Sequence, residues 1–338
     1  MEEPALRLAD KPMTAPELSN LWATFQSNSM ANCILRYFSA KAEDEEIKST
    51  IDFALRIAQQ QTDRIKNLFA AEEIAIPIGF TDSDVDVNAP RLLSDMFMLE
   101  YIKHMASVGM MTYSSALYIS SRADVREIFD DCLISSIQLE RRSSQVLLEK
   151  GIFVQPPYLS PPQKVDFVKN QTFLNGWLGE RRPITGIEIT SLFINMITNS
   201  IGKALITSFA QVAEMKDVRK YLIRGKHIAT KHLSVFGSIL TEENTDVAPT
   251  WDSHVTDSTA PPFSDKLMLF HTIGLIAFGI ANYGTALSSC ARRDISSHYE
   301  RLMQEILLYA EDGMNLMIKR GWMEEPPLTV DRGELIKK

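Results

Sequence analysis

Cysteine is scarce: the 338-residue chain holds three, Cys33, Cys132 and Cys290. Three thiols so far apart make neither a disulfide framework nor the paired spacing of a zinc site. They read as small buried residues of a reducing compartment. Histidine is sparse too, with six in all: His104, His227, His232, His254, His271 and His298. No Glu-x-x-His occurs, so the ligand set that di-metal carboxylate bundles place on facing helices is missing. Excess positive charge is absent. With 35 Lys and Arg against 43 Asp and Glu, the formal net charge is −8. That excludes the footprint of a general nucleic-acid binder and gives no attraction to an anionic membrane. No segment alternates with the period of a strand. Gly-x-x-x-x-Gly-Lys loops, Gly-x-Gly-x-x-Gly turns and Gly-x-Ser-x-Gly elbows are all lacking. The opening Met1–Ala5 is acidic with no apolar run behind it, so no secretory leader is expected.

What is present is a repeat. Shifted by 171, Glu17 meets Glu188, Leu21 meets Leu192, Asn28-Ser29 meets Asn199-Ser200 and Ile47-Lys48 meets Val218-Arg219. After one deletion the shift is 170: Ser94-Asp95 meets Ser264-Asp265, Tyr113 meets Tyr283, and Arg122 and Asp124 meet Arg292 and Asp294. Matches in one order over the whole unit mark a tandem duplication. The expected organisation is all-α, two copies of an up-down four-helix bundle: residues 1–151 form the first, 184–338 the second, and 152–183 a linker. Pro156, Pro157, Pro161 and Pro162 break any helix in that linker. Its Phe167, Phe173, Trp177 and Leu178 are expected to pack back onto the bundles.

Each copy divides into four helices. Thr14-Ala-Pro-Glu17 and Thr185-Gly-Ile-Glu188 are capping boxes that open the first. The second carries Ile47, Ile51, Ala54, Leu55, Ala58, Ile65 and Leu68 at helical spacing, or Val218, Leu222, Gly225, Ala229, Leu233 and Phe236. A proline-containing loop, 74–90 or 242–262, is long enough for a crossover. Ser94 or Ser264 opens the third helix. The fourth starts near Asp124 or Asp294 and carries Phe129, Leu133, Ile137, Leu147 and Leu148 in the first copy; Gly151 and Gly321 stop it. The uncharged run Leu267–Ala291 is long enough for a bilayer, yet it holds His271, Asn282 and Tyr283 and aligns with a charged segment. It is expected to be a buried bundle helix.

Five carboxylate pairs persist between the copies: Glu17/Glu188, Glu43/Glu214, Glu46/Asp217, Asp95/Asp265 and Asp124/Asp294. All lie at helix starts, where negative charge is stabilised by about 0.3–1 kcal/mol, so capping explains them. Candidate metal ligands are asymmetric. Glu100 and His104 stand four apart on one helix face; the plainer reading is a solvent-facing ion pair of Glu100 with Lys103. His254 sits with Asp252 and Asp257 in the second long loop, where turn formation is the plainer role. Lys216, Arg219, Lys220, Arg224, Lys226 and Lys231 make one helix basic, in keeping with a solvated outer face.

The stretch Pro262-Phe-Ser-Asp-Lys-Leu267, the Arg292-x-Asp294 pair and the closing Lys319–Pro327 resemble a family of spore-forming bacilli known as a domain of unknown function. The resemblance covers the whole chain as two copies, the first ending more loosely in Gly151–Pro157. It implies a ferritin-like bundle. Some members are labelled spore coat proteins, and no metal ligand set or activity comes with the resemblance. The leading expectation is therefore a non-enzymatic, cytoplasmic or spore-associated structural or interaction protein. It would have a protein partner or self-associate, with no nucleic acid, membrane or cofactor. One alternative is a ferritin-like protein holding a divalent metal at Glu100 and His104 or at His254. Another is a small-molecule binder using the space between bundles.

Overall fold

The computed structural model describes residues 11–336; the acidic opening stretch lies outside them. Each half contributes four long helices. They are α1 (Ala15–Lys41), α2 (Glu45–Ala71), α3 (Asp95–Ile119) and α4 (Ala123–Glu149), then α5 (Gly186–Val212), α6 (Lys216–Glu242), α7 (Asp265–Ser289) and α8 (Arg293–Lys319). The duplication is legible in the lengths: 27, 27, 25 and 27 residues in both copies. Both capping boxes form, with Thr14 and Thr185 accepting from the backbone of Glu17 and Glu188; such a cap stabilises a helix by about 1 kcal/mol. Gly151 and Gly321 take the left-handed conformation, at φ 67° and 68°, that ends α4 and α8.

Two of the symmetric carboxylate pairs do more than cap. Glu17 holds the Thr14 N–H at 2.8 Å and, with its other oxygen, the N–H groups of Ser121 and Arg122 at 2.7 and 2.8 Å. It thereby ties the start of α1 to the start of α4. The buried Arg122 guanidinium bonds Asp124 and also Glu72 at the end of α2. Glu188, Arg292, Asp294 and Glu243 repeat this latch in the second half. At the opposite end Asp95 accepts the N–H groups of Glu43 and Asp44, and Asp265 those of Glu214 and Met215. These ties fix direction: α1 and α4 run one way, α2 and α3 the other, so the second and third helices are parallel rather than alternating up and down as expected. The long loop after α2 must therefore cross the whole bundle.

The two crossover loops meet in a pseudo-two-fold seam. Val85 bridges Phe263 and Leu93 bridges Val255 in antiparallel fashion, which are the same pairing with the copies exchanged. Ser264 Oγ donates to Asp84 at 2.7 Å, and in the mirrored position Ser94 Oγ lies 2.8 Å from His254 Nδ1. Tyr101 and His271, equivalent under the repeat, meet across the axis at 2.7 Å. One apolar core takes in the half of the first bundle nearer the seam, including Phe38 of α1, Ile51 of α2, Phe97 of α3 and Leu147 of α4, and runs on into the second.

Several expectations change here. Glu100 is not a solvent-facing ion-pair residue: it is 2% exposed, with Lys103 3.7 Å away, because this part of α3 lies under the second repeat. The linker aromatics do not pack back as expected. Phe167, Trp177 and Leu178 are 80%, 65% and 87% exposed, while Phe173 is half-buried under Arg182. Ile137 and Leu148 of α4 face solvent, since their positions fall off the stripe set by Phe129 and Leu147. Among the described residues two helices, α5 and α7, are long and apolar enough to cross a membrane; both pack in the second bundle. The basic residues of α6 are largely exposed, and Arg224 and Lys231 pair with Asp312 and Glu305 of α8.

Candidate functional site

The copies share a frame but not a filling. In the second bundle, Phe236, Tyr283 and Tyr299 pack together, edge-on or tilted, at ring separations of 5.1–5.6 Å. Between α6 and α8, Tyr221 and Tyr309 stack at 4.3 Å. Most polar groups inside are paired, Asn195 Oδ1 being an exception. Tyr283 Oη takes Asn199 Nδ2 at 2.9 Å and meets His232 Nδ1 at 2.7 Å, while His232 Nε2 reaches Glu305 at 3.1 Å. Burial drives the His232 imidazole below its ordinary range, against the pull of Glu305.

The same positions of the first bundle carry smaller or more polar side chains. Phe236, His232, Leu302, Glu305, Ile306 and Tyr309 become Ile65, Gln61, Cys132, Ser135, Ser136 and Leu139. Close packing leaves few voids in a well-filled core. Here, however, the lost volume opens a cavity of about 590 Å³ within α1–α4, closed on one side by α7. An apolar space of about 150 Å³ already admits benzene. The apolar core of the first bundle is cut in two by this cavity. A small cluster around Leu21, Phe69 and Phe129 stands apart from the rest, whereas the second bundle is continuous.

The cavity is graded along the bundle. At one end are Thr24, Asn28, Gln61, Tyr113 and Ser136; at the other are Leu35, Ile57, Ile102, Met105, Leu139 and Leu275, ending at Tyr101 and His271. Asn28 Nδ2 donates to Gln61 Oε1 at 3.0 Å, and Tyr113 Oη to Asn28 Oδ1 at 3.4 Å. The Gln61 NH2 has no protein partner among the described residues. No Asp, Glu, Lys or Arg lines the space. Its titratable neighbours are neutral: burial pushes His271 down to about 4 and Tyr113 well up. The mouth lies between α1 and α3, where Ala23, Ser27, Met111, Thr112 and Ser115 are exposed. The first and third helices touch little in this copy, while α5 and α7 pack side by side.

The sequence-based metal candidates do not converge. Glu100 and His104 share the buried face of α3, each with an unpaired atom, Glu100 Oε2 and His104 Nε2. Burial raises the Glu100 carboxyl and pushes His104 down to about 4. His104 packs edge-on to Phe278, 5.4 Å between rings. His254 lies in the seam on Ser94. Among the described residues no three His, Cys, Asp or Glu side chains are grouped to hold an ion. The cavity residues escaped sequence reasoning, although comparing core positions between copies for size would have exposed them.

Comparison with known proteins adds family but not chemistry. No curated protein matches the chain. A solved structure of a "putative spore coat protein" from Bacillus halodurans is 22% identical, covering 46% of this chain and 99% of its own at a TM-score of 0.41. A family model described as "Protein of unknown function (DUF3231)" matches twice, at residues 6–165 and 172–335. The chain belongs to the DUF3231 family and carries two tandem copies of its domain.

Proposed function

We propose that this protein binds a small molecule in its first bundle, and that the second bundle is the solid body that closes and steadies that site. The carrying observation is the contrast between copies. One frame of helices, held by the same latches, encloses a 590 Å³ cavity in one half and a packed aromatic core in the other. A cavity of this size, mostly apolar with a few converging polar groups, has the character of a ligand site. The site is one bundle and the α7 wall, not the linker.

A solvatochromic dye such as Nile red tests this. Wild-type protein is expected to bind it once per chain with blue-shifted emission. Ala106→Trp, which places an indole in the cavity, should abolish that signal and Ser136→Ile, which installs the second copy's residue, should weaken it, while circular dichroism is unchanged. Trp177→Ser in the exposed linker should leave it intact. Dye binding unaffected by both cavity variants would overturn the proposal. A second reading, an interaction module, is supported by the exposed Phe167, Trp177 and Leu178. Light scattering that shows a monomer with and without these side chains would remove self-association from it.

A further inference from the structure

Resting on the binding reading above, we propose that the ligand is an uncharged amphiphile: a hydrocarbon chain bearing a neutral hydrogen-bonding head, such as a hydroxyl, ester or amide. The tail lies among Ile57, Met105 and Leu139 toward Tyr101 and His271, and the head lies at Asn28, Gln61 and Tyr113.

Three observations converge on this class. The first is the absence of charge. No ionisable acid or basic side chain of ordinary charge lines the cavity, and the imidazole at its inner end is held neutral by burial and bonded to Tyr101 at 2.7 Å. A carboxylate or ammonium brought inside would lose its water with no counter-ion in reach. The second is the leftover hydrogen-bonding capacity. In the second copy the equivalent His232 uses both ring nitrogens, on Tyr283 and Glu305. Gln61 spends only its oxygen, on Asn28. A donor is left facing the cavity, and the Tyr113 oxygen can accept beside it. A wholly apolar guest would leave these groups unsatisfied, which is unfavourable. The third is shape. On α1 the lining runs from Asn20 to Leu35 and on α3 from Tyr101 to Ala116, so the cavity follows each helix for roughly 22 Å at 1.5 Å per residue. A compact aromatic ligand would not use that length; an extended chain does. The head-group residues lie level with the exposed Ser27 and Thr112 at the mouth, so the chain enters between α1 and α3 and its head stops at Asn28 and Gln61, both buried.

The test is competition against Nile red by three amphiphiles of one chain length, below their aggregation limits: 1-monolaurin, laurate and dodecylammonium at pH 8. Monolaurin is expected to displace the dye at concentrations at least tenfold lower than either ion. Gln61→Leu, which removes the free donor, should weaken monolaurin about tenfold relative to the dye, whose own affinity is measured directly on the same variant; Tyr113→Phe, a smaller change to the fold, should act in the same direction. Displacement by laurate or dodecylammonium as readily as by monolaurin overturns the neutral class. Dye binding that no amphiphile disturbs also overturns it, while leaving the cavity a binding site. Failure of the wild-type protein to bind the dye at all instead defeats the binding reading.

Discussion

Replacing Ser136 by isoleucine should make the protein more stable, although the change adds bulk to a buried position. Ser136 is 8% exposed and lines the cavity; its counterpart Ile306 is 7% exposed and packs in the second core. In the second copy Ile306 Cδ1 sits 3.8 Å from where a Cβ on Gly279 would be; at the equivalent Gly109 the Ser136 Oγ is already 2.5 Å from that point, so isoleucine at 136 must turn its added carbons into the cavity. Isoleucine buries about three more carbons, worth roughly 0.8 kcal/mol each. Fixing its rotamers costs about 0.5–1 kcal/mol. The lost hydroxyl bond runs to the Cys132 carbonyl at 2.8 Å, which keeps its main-chain helix partner, so little is lost there. The net is about 1.5 kcal/mol of stabilisation, or roughly 3–6 °C in the melting of the first bundle. Urea unfolding followed by circular dichroism should show a higher midpoint at unchanged slope. The mirror substitution Ile306→Ser should cost about 3 kcal/mol, since it empties a filled site. Destabilisation of Ser136→Ile by more than about 1 kcal/mol would refute the reasoning, because it would mean that the space is not there.

Further outcomes follow from the latches and the seam. Glu188 is fully buried; burial alone would raise its carboxyl, but Arg182 and the N–H groups of Thr185 and Arg292 hold it at about 2. A depressed carboxylate contributes stability above its unfolded value near 4.5 and loses it as pH falls toward 2. The amount is about 3 kcal/mol at 1.36 kcal/mol per unit, and Glu188→Gln should flatten that part of the acid-unfolding curve. His104 and His271 are neutral in the fold, with values near 4, so each contributes stability above about 6.5 that is lost as pH falls toward 4. His271→Asn should therefore reduce the pH dependence of urea midpoints between 7 and 4. Ser94→Ala removes both the α3 cap and the bond to His254, and should cost about 1–2 kcal/mol by the same unfolding measurement.

The parts of this structure that sequence made legible are those written as local pattern. Thr14 with Glu17, Ser94 and Gly151 announce helix ends because the unpaired N–H and C=O groups there demand those residue types. The duplication follows from order alone. Arg122 and Asp124 were legible as a pair kept in both copies, but their partner Glu72, fifty residues before Arg122 at the end of another helix, was not. Glu100 read as a surface residue because its burial comes from the docking of the other repeat, which no periodicity encodes. The linker misled in the opposite sense: Trp177 and Leu178 are apolar yet stand in solvent. The cavity was least legible of all. Each of Gln61, Cys132, Ser135 and Ser136 is an ordinary helix residue, and only their joint loss of volume against the second copy hollows the bundle.

Xenon-pressurised crystals of the wild-type protein test the central asymmetry without assuming any ligand. Xenon enters apolar cavities that are large enough and is excluded from packed cores. The account predicts xenon density among Ile57, Met105 and Leu139 in the first bundle and none between α5, α6, α7 and α8. Xenon in both bundles, or a first bundle that takes up none, would contradict it.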